Sequence, residues 1–297
     1  GGVFLVAVNG ADSAINYNGT AWATTPAITG VASSDLIDVS SHKSRLWFVE
    51  KDSSRAWYLA VDAIGGAAND LDLGSVWRMG GKLKAIVPLS NDSGAGPDDY
   101  LAFISNHGEV AMYAGTDPAA SADWALVGVF HVGTPIGDRS AIQVGGDAAL
   151  ITDQGIISLL KAMQLDRSAQ AQAAISDRIA PLFAYYAQAN RMRFGWQAVS
   201  YPGGNYALFN VPLASGLSVQ LVMNVLTGAW CRFTGQHARC WGVFNTDLYF
   251  GGATAVYKAD TGRSDAGAAI AGDVKTAFNY FGDRAGLKSF LMLRPAF

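Results

Sequence analysis

A strand–turn–strand signature recurs about six times along this chain of 297 residues, and it constrains the fold more than any other feature. Its parts are a short apolar run, a Gly/Asn/Asp turn, and an aliphatic–Tyr pair closed by Gly-Thr or Asp-Thr. Three copies are plain: Ile15-Asn16-Tyr17-Asn18-Gly19-Thr20, Val110-Ala111-Met112-Tyr113-Ala114-Gly115-Thr116 and Val256-Tyr257-Lys258-Ala259-Asp260-Thr261-Gly262. A Trp follows a glycine turn in Gly19-Thr20-Ala21-Trp22 and again in Thr227-Gly228-Ala229-Trp230. One such unit cannot bury its own apolar face, so its copies must stack on one another, as in solenoids, propellers and arrays.

The leading strands of these units begin near residues 4, 46, 101, 148, 206 and 248. A four-stranded propeller blade takes ~40–50 residues, and the longer steps call for insertions. The expected fold is therefore all-β: a β-propeller of about six blades over residues 1–265, with one helical insertion near residues 163–190. Thirty-four glycines and 11% aromatic residues suit many tight turns between short strands. Residues 266–297 read as C-terminal strands that close the propeller or begin a further domain. The opening Gly1-Gly2, without Met, reads as the start of a piece of a longer polypeptide.

The insertion is marked by a change of composition between Met163 and Asn190. Ser168 to Ile179 is rich in Ala and Gln and has high helix propensity. Ala171, Ala174, Ile175 and Ile179 recur at helical spacing, Pro181 ends or restarts the helix, and Leu182 to Ala189 forms a second short one. The other long step holds Asn91-Asp92-Ser93-Gly94-Ala95-Gly96-Pro97-Asp98-Asp99, which reads as a solvated loop.

Charge narrows the function. Lys and Arg number 21 against 24 Asp and Glu, a net charge of −3 with only 15% charged residues. That balance argues against a protein that grips nucleic-acid phosphates. Val3 to Val8 is one strand, far short of the ~18 apolar residues of a membrane span. Two cysteines are too few for a disulfide scaffold.

Chemical groupings are weak. Cys231, His237 and Cys240 supply three potential zinc ligands where tetrahedral zinc takes four, and they read as residues of two paired strands around Gly235. His42, His107, His131 and His237 each stand alone near turns or strand ends. Asp92, Asp98 and Asp99, and separately Asn69, Asp70 and Asp72, would offer oxygens to calcium but lack the EF-hand order. Glutamate occurs only at Glu50 and Glu109, beside turns, so a glycosidase carboxylate pair is hard to place. Arg167, Arg178, Arg191 and Arg193, with the pair Lys82 and Lys84, read as a solvated face or, more sharply, as an intersubunit contact or a ring of positive charge near a channel. No catalytic, cofactor-binding or metal site is assigned, and the chain is not expected to be an enzyme.

Several segments resemble the tail nozzle, or packaged-DNA-stabilisation, proteins of short-tailed bacteriophages. They are Ile175-Ser176-Asp177-Arg178-Ile179, Asn205 to Pro212, Thr227-Gly228-Ala229-Trp230-Cys231, Leu248-Tyr249-Phe250-Gly251, Val256 to Asp260, Thr276 to Gly282, and Leu287-Lys288-Ser289-Phe290 with Leu293-Arg294-Pro295. The resemblance is clearest from about residue 140 onward. It implies a propeller subunit of a ring, commonly sixfold, at the distal end of a virion tail made in the bacterial cytoplasm. Such a ring extends and closes the DNA channel, carries fibre or needle proteins, and lets double-stranded DNA pass without sequence-specific binding. A weakly acidic inner wall would help the duplex slide. The alternative is a carbohydrate-binding or glycan-degrading propeller for host recognition, with Trp47, Trp57 and Tyr58 stacking on sugars.

Overall fold

The computed structural model describes residues 4–92, 97–165 and 173–262, with scattered positions beyond; the side chains of 91, 92, 97 and 98 are not described. Two compact units divide at Asp260/Thr261. The second, Thr261–Phe297, lies mostly outside the described residues, and with it the expected C-terminal strands.

The first unit is a β-propeller built from six antiparallel meanders in chain order. Sheet 1 holds β1 (Leu5–Ala7), β2 (Ile15–Tyr17) and β3 (Trp22–Ala23). A short parallel pair, β4 (Ile28–Thr29) with β8 (Gly66–Ala67), flanks sheet 2, which holds β5 (Leu36–His42), β6 (Arg45–Glu50), β7 (Arg55–Tyr58) and β9 (Asn69–Asp72). Sheet 3 holds β10 (Leu83–Asp92), β11 (Pro97–Ser105), β12 (Glu109–Ala114) and β13 (Ala125–His131). Sheet 4 holds β14 (Ala141–Val144), β15 (Asp147–Thr152) and β16 (Gly155–Ser158). Sheet 5 holds β17 (Gln197–Tyr201), β18 (Tyr206–Pro212), β19 (Ser218–Asn224) and β20 (Trp230–Phe233). Sheet 6 holds β21 (Cys240–Phe244), β22 (Asp247–Gly251) and β23 (Val256–Lys258).

First strands of neighbouring sheets lie side by side, β5 on β10, β10 on β14, β14 on β17 and β17 on β21, and so form the inner wall from sheet 2 to sheet 6. Five apolar clusters fill the spaces between consecutive sheets. Period-two alternation explains how one strand serves two of them. On β11, Leu101 and Phe103 pack toward sheet 2 while Ala102 and Ile104 pack toward sheet 4. On β15, Ala148 and Leu150 face sheet 3, whereas Ala149 and Ile151 face sheet 5.

The turn residues earn their places by side-chain hydrogen bonds. Asn18 Oδ1 accepts the amides of Thr20 and Ala21, and Asn224 Oδ1 accepts those of Leu226 and Thr227 in the matching turn of sheet 5. Each closes a tight turn that delivers a Trp to the last strand of its sheet.

Three expectations need correction. The runs near 46, 101, 148, 206 and 248 are second strands; the first strands β5, β10, β14 and β17 mix polar and apolar residues without clean alternation, and the strand expected about Arg239 to Trp241 is β21, the first of sheet 6. Asn91 to Asp99 is largely a long hairpin, with Asn91 opposite Asp98 and Asp92 opposite Pro97, because the ladder of β10 and β11 carries on past the apolar residues. The helical insertion begins earlier, at α1 (Leu159–Gln164). Within the predicted 168–179 helix, residues 166–172 lie outside the described set, Ala174 forms a bridge with Ile157, and Asp177–Ile179 is a single 3-10 turn. Competition from that bridge, which packs Ala174 beside the fourth sheet, overrides local helix propensity. The second helix, α2 (Ala180–Asn190), starts with Pro181 in its first turn, where no N–H is needed.

Candidate functional site

The feature that stands out is a cavity of about 270 Å³ at one end of the axis. It opens where β10, β14, β17 and β21 begin. Its wall carries Lys84, Asp138, Arg139, Arg191, Arg193 and Arg239. Phe194 and Met192, 77% and 90% exposed, form its apolar border.

The backbone holding these side chains is firmly tied. Gln197, buried at the start of β17, receives the Trp241 amide on Oε1 at 2.8 Å and donates from Nε2 to the Trp241 carbonyl at 2.9 Å, locking sheet 5 to sheet 6. The Arg139 carbonyl accepts the Ala198 amide at 3.0 Å, and the Arg239 amide donates to the Gly251 carbonyl at 2.8 Å. Gly137 adopts φ +80°, and a Cβ there would sit 2.5 Å from Trp196 Cβ, so the chain can approach sheet 5 only with glycine. Trp196 is itself buried and donates from Nε1 to the Asn190 carbonyl at 2.9 Å.

Electrostatically the mouth is positive. Asp138 is the one carboxylate on its wall, and Lys84 pairs with it. Nearby on β5, burial raises the Asp38 carboxyl to about 6, opposed by the Val39 amide and by the charge of Arg139.

The mouth gathers Lys84, Arg191 and Arg193, which had appeared as separate clusters, and adds Arg139 and Arg239. It does not gather the rest. Lys82 pairs with Asp52 at 2.6 Å, Arg178 reaches the Gly228 carbonyl at 3.4 Å, and Arg167 lies outside the described residues. The signal available in the sequence was positional: a cationic or amide side chain stands at or just before the first strand in four successive sheets, at Lys84, Arg139, Gln197 and Arg239.

The remaining candidates fall to structural duties. Cys231 on β20 and Cys240 on β21 belong to different sheets, not to one hairpin about Gly235, and both are free thiols. His237 Nδ1 accepts the Ser218 amide at 3.4 Å. Among the described residues no group of three or more His, Cys, Asp or Glu converges as a metal site. Asp70 lies 3.7 Å from Arg55, and Asp72 accepts Ser54 Oγ and the Gly74 amide. Asp99 pairs with Lys43, which holds its carboxyl below the usual range, while the side chains of Asp92 and Asp98 are not described. Glu50 accepts the Trp57 indole at 3.0 Å, and Glu109 accepts the amides of Arg78 and Met79. His42 is buried, which lowers its pKa, and His131 Nε2 meets the His107 carbonyl at 3.0 Å. Trp47, Trp57 and Tyr58 are no sugar platform: they are 1%, 8% and 5% exposed, and Trp47 stacks on Trp124 with ring centres 5.5 Å apart.

No protein-family model and no curated protein matches this chain. Among solved structures it is similar to a candidate 6-phosphogluconolactonase from Bacteroides uniformis, at 13% identity over 86% of this chain and 80% of that one, with a TM-score of 0.49. It is also similar to the WD40 domain of SCAP from fission yeast, at 10% identity over 88% and 67% of the two chains (TM-score 0.41). A third is the SapL1 lectin in complex with alpha methyl fucoside, at 11% identity over 87% and 88% (TM-score 0.41). Likenesses this distant transfer no activity, and the propeller assignment stands on the six sheets themselves.

Proposed function

We propose that this chain is a structural propeller subunit, not an enzyme, that joins copies of itself in a ring at the distal end of a phage tail. There it would extend the DNA channel and carry fibre or needle proteins, as its resemblance to tail nozzle proteins implies. The observation that carries this reading is the surface of the helical insert. Tyr185 on α2, with Met192 and Phe194 just beyond it, are 68%, 90% and 77% exposed. Buried Phe183 and Tyr186 anchor the same helix on sheets 4 and 5, so the outward residues are held in place for a neighbour. Large exposed apolar groups on and just after an anchored helix are characteristic of association surfaces. A carbohydrate-binding propeller is the second reading, favoured only by the axial mouth now that the aromatic trio is core.

Electron microscopy and native mass spectrometry of the full-length protein test the proposal. Rings that bind isolated tail tubes, and that dissociate in Tyr185→Ser/Phe194→Ser, are expected. A strictly monomeric particle that never binds tubes would reject it.

A further inference from the structure

We infer that the axial mouth binds a compact anionic ligand presenting carboxylate or phosphate oxygens on a sugar-sized body, with Arg139 and Arg239 as its principal contacts. This goes beyond the assembly reading and does not depend on it.

Five cations converge from separate elements: Lys84 on β10, Arg139 ahead of β14, Arg191 and Arg193 after α2, and Arg239 ahead of β21. Among the described residues, no carboxylate lies within ion-pair distance of any of these four arginines. In a chain of net charge −3 this gathering does not follow from a basic composition. Like charges drawn together repel one another, and an anion between them relieves that cost.

Arg191 and Arg193 have a partial local explanation. They follow the C-terminus of α2, where the helix dipole favours cations, and Arg193 Nε donates to Asn190 Oδ1 at 3.0 Å. Arg139 and Arg239 precede strands and have no such explanation. Their main chains are fixed by hydrogen bonds to neighbouring strands while their side chains stay exposed at the cavity. A guanidinium fork matches carboxylate and phosphate oxygens bidentately.

Size selects among anions. The ≈ 270 Å³ cavity is just below the range of small-molecule sites, which typically run from ~300 Å³ upward, and so favours a compact ligand. That volume suits a sugar acid or a phosphate ester.

Isothermal titration calorimetry with glucuronate, inorganic phosphate, glucose and a short DNA duplex tests the inference. Binding of glucuronate points to an acidic glycan as the source, and binding of phosphate to phosphate or its esters; either supports the site. Arg139→Ala and Arg239→Ala should each weaken binding about tenfold, with Arg139→Lys intermediate. Arg55→Ala, on sheet 2, should leave it unchanged, and variants are compared at matched melting temperature. The inference is overturned if neither small anion binds, if glucose binds as well, or if Arg139→Ala/Arg239→Ala binds undiminished. It is also overturned if the duplex binds while both small anions are silent.

Discussion

The indole Nε1 of Trp241, on the first strand of sheet 6, donates to Oδ1 of Asn210, on the second strand of sheet 5, across 3.0 Å of buried interior. Asn210 is the hub of a polar knot. Its Oδ1 also accepts Gln220 Nε2 at 2.9 Å, and its Nδ2 donates to the carbonyls of Gly195 at 2.8 Å and Ala238 at 3.3 Å. One side chain therefore ties β18, β19, β21 and the loop that enters the axial mouth.

Asn210→Ala removes four hydrogen bonds at once: the buried Trp241 indole loses its acceptor and the Gly195 and Ala238 carbonyls lose their donor, while Gln220 Nε2 keeps Ser218 Oγ and the Gln236 carbonyl. Each orphaned group costs about 1–3 kcal/mol, so a loss on the order of 3 kcal/mol is expected after local relaxation. Urea titration followed by tryptophan fluorescence measures it. A loss under about 1 kcal/mol would mean that apolar packing, not this knot, docks the fifth and sixth sheets.

Gly137→Ala tests the support of the mouth. Its φ of +80° and the 2.5 Å approach of a Cβ to Trp196 Cβ combine conformational strain with a backbone-level clash. A destabilisation of about 2 kcal/mol or more is expected, with a red shift of Trp196 emission as the indole leaves its place against Phe183. An unshifted spectrum with unchanged stability would show that this turn relaxes freely.

Much of the architecture was legible because second strands are buried on both faces. Trp47-Phe48-Val49, Leu101 to Ile104 and Ala207 to Phe209 are unbroken apolar runs with almost no exposure, and they mark sheets 2, 3 and 5 plainly. Four of the six first strands, β5, β10, β14 and β17, were not legible. β5 reads Leu-Ile-Asp-Val-Ser-Ser-His, because strands around the axis meet polar groups as well as core. The mouth was hidden for a related reason: Lys84, Arg139, Arg193 and Arg239 are scattered over 156 residues of chain, from 84 to 239, and only the side-by-side packing of sheets 3 to 6 makes them neighbours.

Ser176→Ala should loosen the insert without unfolding the propeller. Ser176 is 1% exposed, and its Oγ accepts the Ile156 amide at 3.0 Å, beside the Ile175 amide bond to the Ile156 carbonyl at 2.8 Å. Losing the hydroxyl leaves a buried N–H unpaired at a cost of about 1–3 kcal/mol. Hydrogen exchange should quicken in α2 and β16 and stay unchanged in β11. Equal quickening everywhere would mean that the insert and the sheets open together.

Asp38 should make the fold more stable in mild acid than at neutrality. Its carboxyl is raised from 3.8 to about 6, chiefly by burial, with the Val39 amide and Arg139 pulling the other way. Between those two values the folded chain holds a proton that the unfolded chain has released. Asp38's own contribution therefore falls as pH rises from about 4 to about 6 and is level above that, the reverse of an ion-paired carboxylate, while buried His42, lowered from 6.5, adds a slope of opposite sign below its ordinary value. The span corresponds to at most about 3 kcal/mol. Asp38→Asn should remove this slope and raise stability at pH 8 relative to the parent chain, because an amide can still accept the Val39 amide at the position of Oδ1, now 2.9 Å away, without a buried charge. Thermal melts of both proteins from pH 4 to pH 8 would decide it. A parent-minus-variant difference that rises through this window, with Asp38→Asn less stable at pH 8, would show that Asp38 is held ionised, with Arg139 as the cation beside it.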